Sequence, residues 1–254
     1  MIKWHGWLVG ALFAPFLAGC ATTPYTPNTG DPLQGYNRAM YGFNTAVDRA
    51  VLKPTAKAYV AVTPSFVRGR VNDFFSNVGQ LSVTANAMLQ GKPQALEDFT
   101  RFLMNTTFGL GGLFDVATPL GLPPHQEDIG MTLATWGVPE GPYVVLPFFG
   151  PSTLRNAPAP LVDGIAFNPL AYGVVSTDTG YGLDALDLVN LRANLLPLDS
   201  SIDAAYDPYL FVRNAYLQHR RYVLEHNNPR PATKKHQLDS LQQELLQMQS
   251  NSSQ

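Results

Sequence analysis

The sequence has a single cysteine and few charged residues. Cys20 is the only cysteine among 254 residues, so no disulfide can form within the chain, although exported domains often use them. Charged residues make up 14% of the chain, compared with about 25% in ordinary soluble domains. The formal net charge is −2, which gives no basic surface for nucleic acid. The fold must therefore be stabilised by packing alone, and nucleic-acid binding is excluded.

Motifs that carry chemistry are also lacking. The sequence contains no G-x-S-x-G nucleophile turn, no Walker loop and no His-x-x-x-His pair. The segment 109–112 (GLGG) resembles a phosphate-binding loop, but Phe114 occupies the place of its third glycine, so we predict a tight turn between helices. Glu127 and Asp128 are adjacent, and neighbours usually point apart on a helix, so Asp128 is predicted to cap a helix that runs toward Trp136. We predict no catalytic site, no metal site and no cofactor.

The N-terminus is typical of a bacterial lipoprotein. Lys3 precedes an apolar stretch over residues 7–17, which leads into the lipobox Leu17-Ala18-Gly19-Cys20. The apolar stretch is shorter than the roughly 17–25 residues of a membrane-spanning helix. We predict a signal peptide over residues 1–19, lipid on Cys20, and a tether over residues 20–30 that reaches only about 30 Å. Ala21 follows the cysteine, which by analogy with known sorting signals favours the periplasmic face of the outer membrane.

Low charge and abundant aromatic residues leave two interpretations of the body. The chain has 14 Phe and 11 Tyr, which fits either a large tight core or an outer surface that partly faces lipid. No segment after the signal reaches 18 uninterrupted apolar residues, so no helix is predicted to span a membrane. If the body enters the bilayer, amphipathic helices must lie within one leaflet.

Apolar periodicity and Gly/Pro punctuation predict a mainly α fold. Asp31-Pro32 is predicted to start a first helix that Lys53-Pro54 ends. Further helices are predicted over residues 64–90 and 93–108, and from Asp207-Pro208 toward Glu225. Together they predict one domain over residues 31–228. The polar tail over residues 229–254 is either a docking helix or a frayed end.

The segment 136–155 (WGVPEGPYVVLPFFGPSTLR) fits neither a regular helix nor a central strand. The best strand candidate is Tyr143–Leu146, but Pro142 and Pro147 bracket it and restrict it to an edge. One interpretation is a buried hairpin that fills the core. The other is an apolar loop that lines a passage or contacts lipid, since loops normally run over the surface.

Several motifs in order resemble the MlaA/VacJ lipoprotein family of Gram-negative bacteria. They are Asp31-Pro32-Leu33, Gly35, Asn37-Arg38, Met40-Tyr41 and Phe43-Asn44; Phe99, Arg101-Phe102, Asn105-Thr106, Gly109, Gly111-Gly112 and Asp115; Trp136-Gly137-Val138, Gly141-Pro142-Tyr143, Leu146-Pro147-Phe148 and Gly150-Pro151; and Asp207-Pro208-Tyr209, Arg213 and Tyr216. The resemblance covers residues 31–221. Asn156 departs from the pattern, in which an Asp stands at that position.

The resemblance implies a single ring-shaped, membrane-embedded domain in the inner leaflet of the outer membrane. Such proteins withdraw misplaced phospholipid from the outer leaflet and pass it toward the inner membrane, which maintains lipid asymmetry. The implied partners are phospholipid, a trimeric outer-membrane porin and a soluble periplasmic lipid carrier. A structural porin adaptor and a lipid-hydrolysing enzyme remain alternative functions.

The resemblance also implies a hairpin beside a lipid passage. Its residues are Gly141, Pro142, Tyr143, Leu146, Pro147, Phe148, Phe149, Gly150 and Pro151. Four arginines near aromatic residues are candidates for contact with phosphate headgroups, namely Arg38, Arg101, Arg155 and Arg213. Ordinary ion pairs or carbonyl contacts are the alternative for each of them.

Overall fold

The fold is mainly helical, with one short β-hairpin among the described residues. The computed structural model describes residues 30–168, 170 and 177–227. The predicted signal peptide, Cys20, the tether up to residue 29 and the tail from residue 229 lie outside them. The chain divides into two compact units, Met1–Tyr216 and Leu217–Gln254. The predicted single domain over residues 31–228 stays a prediction.

Nine helices and one hairpin lie among the described residues, together with short 3₁₀ and π-helical turns. In chain order the helices are α1 (Gln34–Val47), α2 (Lys53–Val62), α3 (Ser65–Leu89), α4 (Ala95–Thr107), α5 (Ile129–Thr135), α6 (Ala159–Leu161), α7 (Thr177–Leu195), α8 (Asp199–Asp203) and α9 (Pro208–Asn227). Strands β1 (Tyr143–Leu146) and β2 (Gly150–Thr153) lie between α5 and α6. Short 3₁₀ turns occupy Thr118–Leu120 and Leu196–Leu198, and π-helical turns occupy Asp48–Leu52 and Val162–Ala166.

The prediction that Lys53-Pro54 ends the first helix is wrong. The chain continues through a π-helical turn, Asp48–Leu52, directly into α2. The amide of Lys53 donates to the carbonyl of Asp48, a bond that spans five residues instead of four. Pro54 thereby falls in the first turn of α2, where its missing N–H costs nothing.

Most other helix boundaries agree with the sequence signals. The predicted helices over 64–90 and 93–108 correspond to α3 and α4. Asp128 caps α5 by accepting from the amide of Met131 at 2.9 Å, and Asp207 accepts from the amide of Leu210 at 3.1 Å. Asp31 does not start the first helix as predicted, because α1 begins three residues later. The Asp31 side chain is buried instead. The sequence patterns did not predict α7.

The burial pattern of α4 is inverted relative to an ordinary soluble helix. Its buried side chains are those of Asp98, Arg101 and Asn105. Leu96 is 72% exposed, and Phe99 and Leu103 are also exposed. Each set recurs at intervals of three and four residues, so each forms one face of the helix. α4 therefore points its polar face inward and its apolar face outward.

The same inversion extends through the first unit. Its described residues bury 16 polar or charged side chains but only eight apolar ones. On α3 the buried residues are mostly polar, namely Asn77, Gln80, Ser82, Thr84, Asn86 and Ala87, while Phe66 and Met88 are each 67% exposed. Water would not favour this arrangement, since exposed apolar patches this extensive mark a surface that meets lipid or protein.

Hydrogen bonds compensate many of the buried polar groups. Asp163 accepts from Asn86 Nδ2 at 2.8 Å, from Ser82 Oγ at 3.1 Å and from the amide of Ile129 at 3.1 Å. Glu127 accepts from Lys92 Nζ at 2.6 Å and from Gln90 Nε2 at 2.8 Å. These bonds link segments that are distant in sequence. They offset the desolvation of groups that would otherwise destabilise the fold.

No described helix is both long enough and apolar enough to cross a bilayer. α3 and α4 expose their apolar side chains, which favours an apolar outer surface over a large apolar core, and contact of that surface with lipid stays a prediction.

Candidate lipid-handling site: the hairpin and its cavity

The predicted strand candidate forms one half of a β-hairpin. β1 and β2 pair antiparallel, with Tyr143 opposite Thr153 and Leu146 opposite Gly150. Residues 147–149 form the connection. The hairpin is a two-stranded sheet, so both strands are edges, as the flanking prolines of β1 require.

Two asparagines of α1 occupy the free edge of β1. Asn37 Nδ2 donates to the carbonyl of Tyr143 at 3.0 Å, and its Oδ1 accepts from the amide of Val145 at 2.8 Å. Asn44 bonds the carbonyl of Leu146 at 2.9 Å and the amide of Phe148 at 2.8 Å. Each side chain thus replaces one residue of a neighbouring strand.

The spacing of the two asparagines matches the strand. Seven residues of α-helix advance about 10.5 Å, and three residues of β-strand advance about 10 Å. Asn37 and Asn44 are therefore separated by nearly the same length as the backbone groups that they bind. Side-chain amides thus join α1 to the hairpin at two points.

The base of the hairpin is buried and its tip is exposed. Tyr143 and Val145 are 4% and 1% exposed, whereas Phe148 and Phe149 are 69% and 62% exposed. Burial raises the pKa of the Tyr143 hydroxyl above its ordinary value, so the phenol stays neutral. The base of the hairpin therefore packs in the core, as the first interpretation predicts, and the tip does not. That the tip lines a passage or contacts lipid stays a prediction.

Phe148 has a strained backbone. Its φ of +66° lies in the left-handed region, which costs a bulky L-residue about 1–2 kcal/mol. The bond from its amide to Asn44 Oδ1 and an edge contact with Phe43, 5.2 Å between ring centroids, hold it there. Strain of this kind often marks functional segments, and here it fixes the direction of the apolar tip.

The hairpin borders a cavity of about 600 Å³. Tyr143, Val145, Gly150 and Pro151 form its hairpin wall. The opposite walls come from α1, the end of α7, α8 and the start of α9, with Leu195, Leu198, Ile202, Pro208 and Val212 among their lining residues. The volume lies in the range of small-molecule sites, about 300–1,000 Å³.

One rim of the cavity carries six charged residues. They are Asp48, Arg49, Lys53, Arg192, Asp199 and Asp203. Arg192 binds Asp48 through two bonds of 2.6 and 3.0 Å and also Asp199 at 2.9 Å. Hydrogen bonds from Lys53 and Arg192 outweigh burial and lower the pKa of Asp199. Neither this network nor the pair of hydrogen-bonding asparagines, Asn37 and Asn44 (the asparagine clamp), was predicted from the sequence, although the seven-residue spacing of the two asparagines is visible there.

All four candidate headgroup arginines have partners within the protein. Arg38 binds Asp207 at 2.6 Å, and the nearly buried Arg101 binds Asp115 at 2.6 Å. Arg155 donates to the carbonyl of Val138 at 3.2 Å. Arg213 donates to the carbonyl of Gly30 at 3.3 Å. Ordinary ion pairs and carbonyl contacts are what the structure shows, and headgroup contact by these residues stays a prediction.

The ion pair of Arg101 predicts a pH dependence. Burial by itself raises the pKa of Asp115, but bonds from Thr118, Arg101 and Asn105 lower it to about 2. Because the pKa of Asp115 is lower in the folded protein, its ionised carboxylate stabilises the fold at pH values above its ordinary pKa of 3.8. That stabilisation is lost as the pH falls toward 2. We expect Asp115→Asn to be less thermally stable than wild type at pH 5, with the difference shrinking between pH 4 and 2. A melting-temperature difference that is constant over this range would contradict the prediction.

The described residues include no group of three or more His, Cys, Asp or Glu side chains that could hold a metal ion. They combine an apolar exterior with a cavity beside the hairpin. This is the construction of a lipid-binding helical protein. The family of MlaA lipoproteins matches residues 29–223, and the chain belongs to that family.

Named relatives and a solved structure agree with this assignment. The chain is 36% identical to the intermembrane phospholipid transport system lipoprotein MlaA of Escherichia coli (strain K12), over 87% of this chain and 89% of the relative. It is 32% identical to the protein of the same name from Haemophilus influenzae, over 85% and 88%. An uncharacterized protein of Rickettsia felis is 38% identical over 73% and 74%. The chain is also similar to a solved structure described as "Structural basis for maintenance of bacterial outer membrane lipid asymmetry", with a TM-score of 0.65 and 34% identity. The similarity covers 76% of this chain and 98% of the chain in that structure.

Proposed function

We propose that this chain is the lipoprotein of an intermembrane phospholipid transport system that maintains outer-membrane lipid asymmetry. It removes misplaced phospholipid from the outer leaflet and passes it toward the inner membrane. The observation that carries this function is the inverted burial of α3 and α4 together with the cavity beside the hairpin. The names of the E. coli and H. influenzae relatives support it.

The inverted burial supports a body set within one leaflet of the outer membrane. The free energy falls when acyl chains replace water around the exposed apolar side chains of α3 and α4. The buried polar side chains keep charge away from the hydrocarbon, where it is costly. The proposed partners are phospholipid, a trimeric outer-membrane porin and a soluble periplasmic carrier.

A deletion strain tests the function directly. We expect outer-leaflet phospholipid to rise when the gene is deleted and to return to its normal level with the wild-type gene. A purely structural porin adaptor predicts no change in that lipid. Incubation of the purified protein with labelled phospholipid tests the enzyme alternative, since release of fatty acid or lysolipid would contradict a transport role.

Asn44→Ala tests whether the hairpin tip controls lipid movement. The change removes the acceptor that holds the amide of Phe148 and the donor to Leu146. Since this site is only partly buried, we expect a stability loss of about 1 kcal/mol, a near-normal protein level and a clear change in outer-leaflet phospholipid. Asn44→Gln is the matched control, because it keeps the amide group but moves it one methylene further from the backbone of α1. If the position of the amide matters, Asn44→Gln should also change outer-leaflet phospholipid. Degradation of Asn44→Ala would instead favour a purely structural hairpin.

Cys20→Ala tests what the lipid anchor contributes. We propose that the acyl chains direct the protein to the outer membrane and begin its attachment, while the apolar body holds it there. We expect the variant to be poorly sorted and processed, as membrane fractionation would show. Correctly placed variant protein should still restore lipid asymmetry, and complete inactivity of such protein would overturn this view.

A further inference from the structure

The six charged residues on the cavity rim have no net charge, but some of them form much closer ion pairs than others. Three are acidic and three are basic. Lys53 Nζ lies 2.9 Å from Asp199, and Arg192 binds both Asp48 and Asp199 at hydrogen-bond distance. These pairs form a closed, partly buried network, because each of their members already has a close partner of opposite sign.

Arg49 and Asp203 stand apart from that network. Arg49 Nη2 lies 3.8 Å from Asp203 Oδ1, and Lys53 Nζ lies 3.9 Å from Asp203 Oδ2. Both separations exceed hydrogen-bond distance. The Arg49 and Asp203 side chains are 68% and 58% exposed, and exposed ion pairs hold together weakly. A ligand can therefore replace this contact at little cost.

The geometry points to Arg49 and Asp203 as a headgroup site for an amine-bearing zwitterionic phospholipid. The lipid phosphate binds Arg49, and its ammonium binds Asp203. The acyl chains continue along the apolar lining residues Leu195, Leu198 and Ile202. This inference rests on the proposed function, because it assigns a headgroup preference to the same cavity.

Charge balance selects the zwitterion. A headgroup with one negative and one positive charge exchanges the loose Arg49–Asp203 contact for two new opposite-charge contacts. A purely anionic headgroup, such as phosphatidylglycerol, also reaches Arg49. It leaves Asp203 beside an added negative charge, which is unfavourable. Arg49 thus attracts both lipids, and Asp203 distinguishes between them.

Binding of two lipids by the purified full-length protein in detergent micelles tests the site. The probes are phosphatidylethanolamine and phosphatidylglycerol with identical chains and a fluorophore on one acyl chain. We expect wild type to bind the ethanolamine lipid several-fold more tightly. Asp203→Asn should remove that preference, because it weakens binding of the ethanolamine lipid and relieves the repulsion that disfavours the glycerol lipid. Arg49→Gln should weaken the binding of both lipids several-fold.

Two further variants separate headgroup recognition from other effects. Asp203→Glu keeps the charge and should keep the preference, whereas a merely structural role would not be rescued in this way. Glu97→Gln makes the same change of net charge on exposed α4, outside the cavity lining, and should leave the preference unchanged. An altered preference in Glu97→Gln would contradict the assignment.

The remaining outcomes each decide one question. Equal binding of the two lipids by wild type, or a preference retained in Asp203→Asn, would overturn the headgroup site while leaving lipid transport intact. Displacement of bound lipid by free phosphoethanolamine at similar concentration would identify a site for a soluble compound and overturn the inference. Failure of wild type to bind either lipid would count against the proposed function itself.

Discussion

Asn37→Ala is expected to lower the free energy of unfolding by about 2–5 kcal/mol, since it leaves two buried backbone groups of β1 without partners at about 1–3 kcal/mol each. Asn37 is fully buried and also donates to Asp31 Oδ1 at 3.0 Å. Against a total stability of about 5–15 kcal/mol, such a loss should greatly reduce the protein level. Denaturant unfolding of the purified protein and immunoblotting of membranes measure the two effects.

Asn37→Asp provides a sharper control than a second alanine. It keeps the acceptor for the amide of Val145 but loses the donor to Asp31 and Tyr143. It also places a second carboxylate beside that of Asp31 in a buried site, which is strongly unfavourable. We therefore expect Asn37→Asp to be no more stable than Asn37→Ala. Near-wild-type stability of either variant would show that the clamp is unimportant for the fold.

The second large effect is expected when charged side chains replace apolar ones on the outer face of α4. Leu96→Lys combined with Leu103→Lys places two charges on side chains that are 72% and 44% exposed. The fold itself should tolerate this change in detergent micelles, because no buried group is disturbed. Within the membrane each charge costs up to about 2.5–3.5 kcal/mol at the centre of a spanning helix, and less at a shallower position. We expect a large loss of vesicle binding and of lipid asymmetry.

Glu97→Lys is the matched control for the double variant. It changes the net charge by the same two units on the same helix, at an exposed position next to Leu96. The loss of an acidic residue from the first turn costs only a few tenths of a kcal/mol. Vesicle flotation should therefore remain close to wild type. Equal loss of binding in both variants would show that net charge, and not the apolar face, controls membrane attachment.

The two asparagines of α1 make separate predictions about one hairpin. Asn37 binds the buried base, and Asn44 binds the exposed, strained tip. A change at the first should reduce the amount of folded protein, while a change at the second should alter lipid movement by protein that still accumulates. The sequence left a core element and a functional loop as alternatives; the buried base fits the first, and the Asn44 variant tests the second.

The sequence predicted local features well because local chemistry specifies them. Asp128 caps α5, and the prolines around Tyr143–Leu146 restrict that strand to an edge. Lys53-Pro54 misled the prediction, since a π-helical turn places the proline in the first turn of α2, where no N–H is required. α7 was not predicted because its apolar residues do not gather on one face.

The sequence by itself determined a mainly helical, low-charge chain whose helices are amphipathic. Only the tertiary structure decided which face of each helix is buried, because periodicity shows that two faces differ but not which solvent each meets. The inward polar face of α4 depends on partners such as Asp115, and the clamp joins residues more than a hundred positions apart. The cavity likewise needs walls from α1, the hairpin, α7, α8 and α9. The shortage of charge was plain in the sequence, and the structure supplied its physical reason: an apolar exterior, with polar groups inside that are largely hydrogen-bonded. The single cysteine, Cys20, was equally plain in the sequence.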